Sequence, residues 1–383
     1  MAATFPRLFA PPKGSYFLFG PRGTGKSTWL ARIHPDAHWI DLLDEGRYQT
    51  YLVQPATFSA ELDALPNRTA VVVDEIQRLP NLLNTVHQKI EAKRLRFVLS
   101  GSSARKLRRS GVNLLAGRAT RRDLHPFVPE ELGTSFRLRD ALTTGMLPVI
   151  HGAEDRGEAL AGYVRMYLKE EIQAEAATRN LPGFARFLPT AALFHAQMLN
   201  TAALARDAGV ARTTVQGYLQ ILDDTLFTFQ VPAYETRLRV REKRHPKLYW
   251  IDPGLVRAVL GMRDEEALHA EGSLFEGWIA QLLRAYRDYR GICDDINWWA
   301  PAEAKTTEVD FLLKRGRRFV AIEVKCSQRW RPEFGKGLRA IEGLRGLERR
   351  IVVYRGKQVL RPEPRIEVLP LENFLEELQR GFG

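Results

Sequence analysis

Residues Gly20–Ser27 read GPRGTGKS, a Gly-x-x-x-x-Gly-Lys-Ser pattern set between an apolar run, Tyr16–Phe19, and a helix-compatible stretch beginning at Thr28. Strand, glycine loop and helix must follow one another for this pattern to work, which confines the chain's first region to an α/β sheet. Gly20, Gly23 and Gly25 lack the Cβ atoms that would hold a polyphosphate away from the backbone, and they tolerate unusual backbone angles. The segment Gly20, Pro21, Arg22, Gly23, Thr24, Gly25, Lys26, Ser27 and Thr28 is therefore expected to hold ATP, with a helix N-terminus facing the anion. Lys26 is expected at the β- and γ-phosphates and the Ser27 hydroxyl at Mg²⁺.

The chain has 383 residues, more than one ordinary core supports, so two or three domains are expected. No apolar run approaches the roughly 20 residues that cross a bilayer, and MAATFPRLFAPPKG does not read as a secretory leader, so the expected location is the cytoplasm. Cys293 and Cys326 stand apart, without companions at metal-ligand spacing, and read as plain thiols. Fifty-seven Lys and Arg against 45 Asp and Glu leave a net charge of +12, which favours a polyanionic partner such as DNA.

His38–Leu43 is the second strand candidate, and Ala70-Val71-Val72-Val73 the third. The latter ends in Asp74-Glu75, acids at the carboxyl end of a buried strand, where an open α/β sheet presents its chemistry. Asp74 is the expected Mg²⁺ partner, and Glu75 the group that orients and deprotonates the attacking water. A fourth run, Phe97–Leu99, leads into Ser100-Gly101-Ser102-Ser103, with Ser102 the first choice to sense the γ-phosphate or hold the water. Together these segments resemble an AAA+ ATPase, a family whose neighbouring subunits usually share each nucleotide, which implies a homo-oligomer and an arginine reaching a neighbour's site. Arg118, in Leu115-Ala116-Gly117-Arg118, resembles such an arginine; a DNA contact and a plain surface role remain open, and Arg105, Lys106, Arg108, Arg109, Arg121 and Arg122 are further candidates.

Beyond Pro129 the pattern turns helical. Gly145-Met146-Leu147-Pro148 reads as a break, Ala159–Ala177 as a packing helix, and Leu181-Pro182-Gly183 as a turn before a helix at Phe184–Leu199. From Thr201, a plausible N-cap, TAALARDAGVARTTVQGYLQILDD resembles a helix-turn-helix with Gly209 at its turn and Arg212, Thr213, Thr214 and Gln216 facing a major groove. Helix pairs of this kind also serve as lids and protein contacts. Arg237-Leu238-Arg239-Val240-Arg241 alternates so that Arg237, Arg239 and Arg241 share one strand face; Lys243, Arg244, His245 and Lys247 extend the charge. The segment looks like the wing of a winged-helix domain, or else a solvated hairpin face.

The second chemical signal is Glu308-Val309-Asp310-Phe311-Leu312-Leu313 followed by Phe319-Val320-Ala321-Ile322-Glu323-Val324-Lys325, two strands across a KRGRR turn. Glu323 and Lys325 share one strand face. Acids embedded among Val, Phe and Leu need compensation, and a divalent ion on Asp310 and Glu323 would supply it. This Asp and Glu-x-Lys arrangement resembles the PD-(D/E)XK nuclease superfamily. The resemblance implies metal binding by Asp310 and Glu323, activation of a water by Lys325, and a further acid, Glu276, on a preceding helix that packs through Phe275, Ile279, Leu282 and Tyr286. A hairpin with a surface Glu–Lys pair is the plainer alternative.

In order, GPRGTGKST, VVVDEI, LAGR, GMLP, TAALAR, HPKLYWIDPGL, FEGW, EVDFLL and AIEVK look like a prokaryotic family that joins an AAA+ ATPase to a carboxyl-terminal nuclease-like domain first described without a function. The expected architecture is accordingly α/β: a P-loop AAA+ parallel-sheet core over residues 1–135, a helical and winged-helix region over 136–260, and a PD-(D/E)XK nuclease-like α/β domain over 261–383. Two activities stay open. One couples ATP hydrolysis to DNA remodelling and Mg²⁺-dependent endonucleolytic cutting, with branched DNA as a plausible substrate; the other is a nucleotide-switched DNA-binding regulator whose nuclease-like domain does not cut.

Overall fold

Alternation along buried strands shapes the first sheet. The computed structural model describes residues 5–103, 117–168, 181–235, 242–303 and 306–382. Strands β1 (Ser15–Phe19), β2 (His38–Asp41), β3 (Ala70–Asp74), β4 (Arg96–Gly101) and β5 (Ala119–Asp123) form a parallel sheet in the order β2-β3-β4-β1-β5. Phe17, Phe19, Val71, Val73, Phe97 and Leu99 enter one core, while Tyr16, Leu18, Val72 and Val98 enter another on the opposite face. Both faces are covered, which is why these strands read as unbroken apolar runs. The sheet sets β4 between β1 and β3, so the glycine loop after β1 and the acid pair after β3 emerge at the same edge.

Strand β5 was not foreseen. Its sequence, ATRRD, lies at the sheet's edge with Thr120 and Arg121 exposed, so nothing apolar marks it.

In the middle region, β6 (Gln197–Met198), β7 (Thr228–Val231) and β8 (Lys247–Trp250) pair antiparallel in the order β6-β8-β7. Helices Thr201–Ala208 and Arg212–Asp224 precede β7, with Gly209 left-handed at the turn between them. Two expectations are corrected here. The cap of the first helix is Asn200, whose side chain accepts from Ala202 N at 3.1 Å and Ala203 N at 3.0 Å, while Thr201 Oγ1 accepts from Arg212 Nε at 3.1 Å. Leu181-Pro182-Gly183 is not a turn but part of a helix, Leu181–Leu193.

The last region is a mixed sheet of β9 (Asp295–Trp299), β10 (Val309–Arg315), β11 (Arg318–Lys325), β12 (Leu347–Tyr354), β13 (Leu360–Glu363) and β14 (Ile366–Pro370), ordered β13-β14-β12-β11-β10-β9. β9, β10 and β11 run antiparallel; β11, β12 and β14 run parallel. The long helix Asp264–Arg290 lays Phe275, Trp278, Ile279, Leu282 and Tyr286 into one core cluster that includes residues from Phe127, near the end of the first region, to Leu378. Among the described residues no helix is long and apolar enough to cross a membrane. Cys293 and Cys326 are free thiols.

Candidate functional site

The loop after β1 needs its glycines. Gly23 and Gly25 hold φ of 81° and 78°, in the left-handed region, and a Cβ on Gly23 would lie 2.5 Å from Val149 Cγ1. Thr24 Oγ1 donates to Pro21 O at 2.8 Å, closing the turn, and the helix Lys26–Ile33 starts immediately after Gly25. The Lys26 ammonium folds over the loop and donates to Gly20 O at 2.7 Å and Pro21 O at 3.2 Å. Beside it opens a cavity of about 470 Å³ lined by Arg22–Trp29, Arg32 and Glu75 on one side and by Phe5, Arg7, Phe127, Pro148 and Val149 on the other.

The second group of lining residues escaped the sequence reading. Arg7, in a segment with no motif, donates from Nη1 to Thr24 O at 2.8 Å and from Nε to Glu131 at 3.1 Å, reaches His125 O through Nη2, and lies 4.9 Å from the Phe127 ring centre. Its side chain is 4% exposed and that of Glu131 1%, so this pair fixes the amino-terminal segment against the loop. The GMLP segment, read only as a break, supplies Pro148 and Val149; Val149 N donates to Gly23 O at 3.1 Å and Tyr163 OH to Arg22 O at 2.7 Å.

At the end of β3, Asp74 is buried and its Oδ1 accepts from Ser100 and, at 3.1 Å, from the Glu75 backbone. Glu75 takes φ of 58°, a left-handed turn that swings its carboxylate out of the strand line toward the cavity. Gln77 donates to Glu75 Oε2 and, at 3.2 Å, to Ser102 Oγ, and Ser102 donates to the same Glu75 oxygen at 3.4 Å. Ser102 thus stands beside Glu75, and Gln77 is a partner that no motif announced. The Ser27 hydroxyl and the Asp74 carboxylate are the hard oxygen donors that Mg²⁺ prefers, and this donor set fits the ion that accompanies ATP. Arg118 lies outside the cavity and pairs with Glu91 of the helix Leu82–Lys93; Arg121 pairs with Asp123 at 3.0 Å. Arg105, Lys106, Arg108 and Arg109, like Arg237, Arg239 and Arg241, lie outside the described residues. Arg212, Thr213 and Gln216 are exposed and Thr214 is half-buried.

The carboxyl-terminal acids do come together. Phe311 of β10 pairs with Ile322 of β11, and Asp310 and Glu323 are the next residues outward on the two strands. Val324 N donates to Asp310 Oδ2 at 2.9 Å; Lys325 Nζ lies 2.5 Å from Glu323 Oε1 and 3.9 Å from Asp310 Oδ2. Glu276, from the long helix, accepts from Tyr249 OH at 2.7 Å.

Lys247 overturns its expected place on a basic surface. Its side chain is 3% exposed, and its ammonium lies 3.0 Å from Glu276 Oε1, 3.2 Å from Asp310 Oδ1 and 3.4 Å from Glu308 Oε1. Burial alone would depress this amine, but Glu276, Tyr249, Asp310 and Glu308 outweigh it and hold its pKa well above the ordinary lysine value. Burial would likewise raise Asp310; Lys247 and Lys325 reverse that and keep it ionised. Glu323 goes the other way, raised by burial and by Asp310, and its buried Oε2 has no hydrogen-bond partner. The point shared by Glu276, Asp310 and Glu308 is filled by an ammonium, and among the described residues no three His, Cys, Asp or Glu side chains form a metal-ligand set. As folded, the cluster does not fit a divalent ion.

Three segments of the chain match models of known families. Residues 13–133 match the model of an AAA domain, residues 135–266 that of a domain of unknown function (DUF8612), and residues 271–374 that of another (DUF4143). Two similar curated proteins, uncharacterized protein Rv2008c of Mycobacterium tuberculosis and uncharacterized protein Mb2031c of Mycobacterium bovis, are each 25% identical over 366 residues, covering 94% of this chain and 80% of theirs. A solved structure, protein VC1899 from Vibrio cholerae, aligns over 96% of both chains at 12% identity with a TM-score of 0.22. The amino-terminal region is an AAA-type domain on a parallel sheet, which supports nucleotide binding and ATPase activity.

Proposed function

We propose that this chain is an AAA+ ATPase that acts on DNA and switches with its nucleotide. The observation that carries the reading is that the Lys26 loop and Glu75 line one cavity, with Gln77 and Ser102 fixing the Glu75 carboxylate and Asp74 next to it at the end of β3. Mg²⁺, held by Ser27 and Asp74, would neutralise phosphate charge as it develops. Lys26 exchanges its backbone acceptors for phosphate oxygens, and Glu75 orients and deprotonates the attacking water. Arg118 or a neighbouring arginine supplies the transition-state cation to an adjacent subunit, which makes the working form a homo-oligomer.

DNA is the partner favoured by the net charge of +12, by the exposed Arg212 and Thr213 at the start of the second helix of the pair, and by the element order that follows. A helix pair succeeded by antiparallel β7 and β8, with Arg237, Arg239 and Arg241 in the connection between those strands, is the order of a winged helix and its wing.

Two readings apply to the carboxyl-terminal domain, for which we propose a PD-(D/E)XK nuclease-like fold. Asp310, Glu323 and Lys325 meeting on adjacent strands favours Mg²⁺-dependent endonucleolytic cutting, whereas Lys247 among the same carboxylates favours a scaffold that does not cut. The second reading is preferred because Lys247 already occupies the point shared by Glu276, Asp310 and Glu308. Labelled linear, single-stranded and branched DNA, incubated with the full chain, ATP and Mg²⁺, tests it: no form is expected to be cut. Binding is expected to change with nucleotide and to lose that dependence in Lys26→Ala. Cutting that disappears in Asp310→Asn would overturn the preferred reading.

A further inference from the structure

The carboxylate cluster draws its cation from a different sheet. Asp310 and Glu323 belong to β10 and β11, Glu276 to the long helix and Glu308 to the approach to β10, whereas Lys247 opens β8 of the three-stranded middle sheet. Its ammonium is surrounded: three carboxylate oxygens at 3.0, 3.2 and 3.4 Å, and the Trp298 ring with its centre 5.4 Å away. An ammonium and carboxylates buried as deeply as Lys247, Asp310 and Glu276 are tolerated only when each meets the other, since either left alone would bear an unshared desolvation cost. Lys325 is half-exposed at the cluster's other end and bonds Glu323, so the two lysines divide the acids between them. Tyr249, two residues along β8 and on the same strand face, bonds Glu276 as well, so the strand delivers both a cation and a hydroxyl to one carboxylate.

We propose that Lys247 is the resident cation of this centre: a tethered ammonium seated where a divalent ion would otherwise bind, which closes the acids to metal and fastens the middle sheet to the carboxyl-terminal one. The proposal rests on the non-cutting reading given above. It assigns Lys247 a role in excluding metal and in joining the two sheets.

The test titrates nucleotide-free full-length protein with Mn²⁺, an oxygen-seeking and paramagnetic stand-in for Mg²⁺, and follows free ion by electron paramagnetic resonance. Wild type is expected to show no saturable site. Lys247→Met, which keeps the stem and removes the charge, is expected to gain one site per chain, and Lys247→Met combined with Asp310→Asn to lose it again. A saturable site in wild type that vanishes in Asp310→Asn overturns the proposal, and so does a folded Lys247→Met chain that gains none. A measurement independent of that variant's folding is reductive methylation mapped by mass spectrometry. Lys247 is expected to be among the slowest lysines in wild type, and modification at the rate of surface lysines counts against it. The same samples assayed for DNA cutting keep the two ideas apart: Asp310-dependent Mn²⁺ binding by wild type without cutting sinks the resident cation alone, while Asp310-dependent cutting sinks the non-cutting reading as well.

Discussion

The chain holds two centres built on a lysine among acids, and they are organised in opposite ways. At the nucleotide loop, Lys26 donates to two backbone carbonyls and lines a cavity of about 470 Å³, and Asp74 and Glu75 are bonded to serines and a glutamine. At the carboxyl-terminal cluster, Lys247 is already neutralised by carboxylates on three sides. Neutral acceptors give up an ammonium cheaply, whereas buried carboxylates do not. The first arrangement opens its ammonium onto a cavity that an anion can enter; the second encloses it among carboxylates.

The contrast predicts that matched substitutions exchange their effects. Lys26→Ala is expected to lower ATP turnover by ~10²-fold or more, the scale of removing one transition-state charge, while moving stability by less than about 1 kcal/mol. Lys247→Ala is expected to destabilise the chain by roughly 3–5 kcal/mol, because it strands buried carboxylates. Steady-state ATPase assays and urea unfolding read the two effects, and a stability loss at Lys26 equal to that at Lys247 would erase the distinction.

An effect spread over pH sharpens the same comparison at the joint between the centres. Asp252 is buried, and burial raises its carboxyl to about 7 although Met146 N and Gly254 N donate to it. A carboxyl whose folded pKa lies above its unfolded value binds more protons when folded, so its contribution declines as pH rises from about 4 to about 7. The difference in unfolding free energy between wild type and Asp252→Asn should therefore fall across that window, with a slope approaching about 1.4 kcal/mol per pH unit. Taking the difference cancels the opposing contribution of His195, which burial depresses to about 3. A flat difference from pH 4 to 7 would rule out this titration. The least effect belongs to the exposed helix pair: Arg212→Ala should lower the slope of log affinity for DNA against log salt by about 1, measured by fluorescence anisotropy.

What could be read from the sequence was whatever is local. GPRGTGKS and VVVDE carry their geometry within a few residues, and the parallel sheet's buried runs announce themselves because both faces are covered. ATRRD gave no sign of a strand, since an edge position asks nothing apolar of it. Arg7 meets Thr24, and Gln77 meets Ser102, only after the chain has folded back over 17 and 25 residues, and no spacing encodes that. Lys247 is the instructive error. Next to Lys243, Arg244 and His245 it looked like one more surface charge, while the alternation KLYW that buries it also points it, with Tyr249, at acids far along the chain.

β8 ends in Trp250, and two residues later Asp252 accepts from Met146 N at 2.6 Å, in the segment whose following Pro148 and Val149 wall the nucleotide cavity. Six residues of chain, from 247 to 252, are thus all that separates the carboxylate cluster from the anchor of the cavity wall.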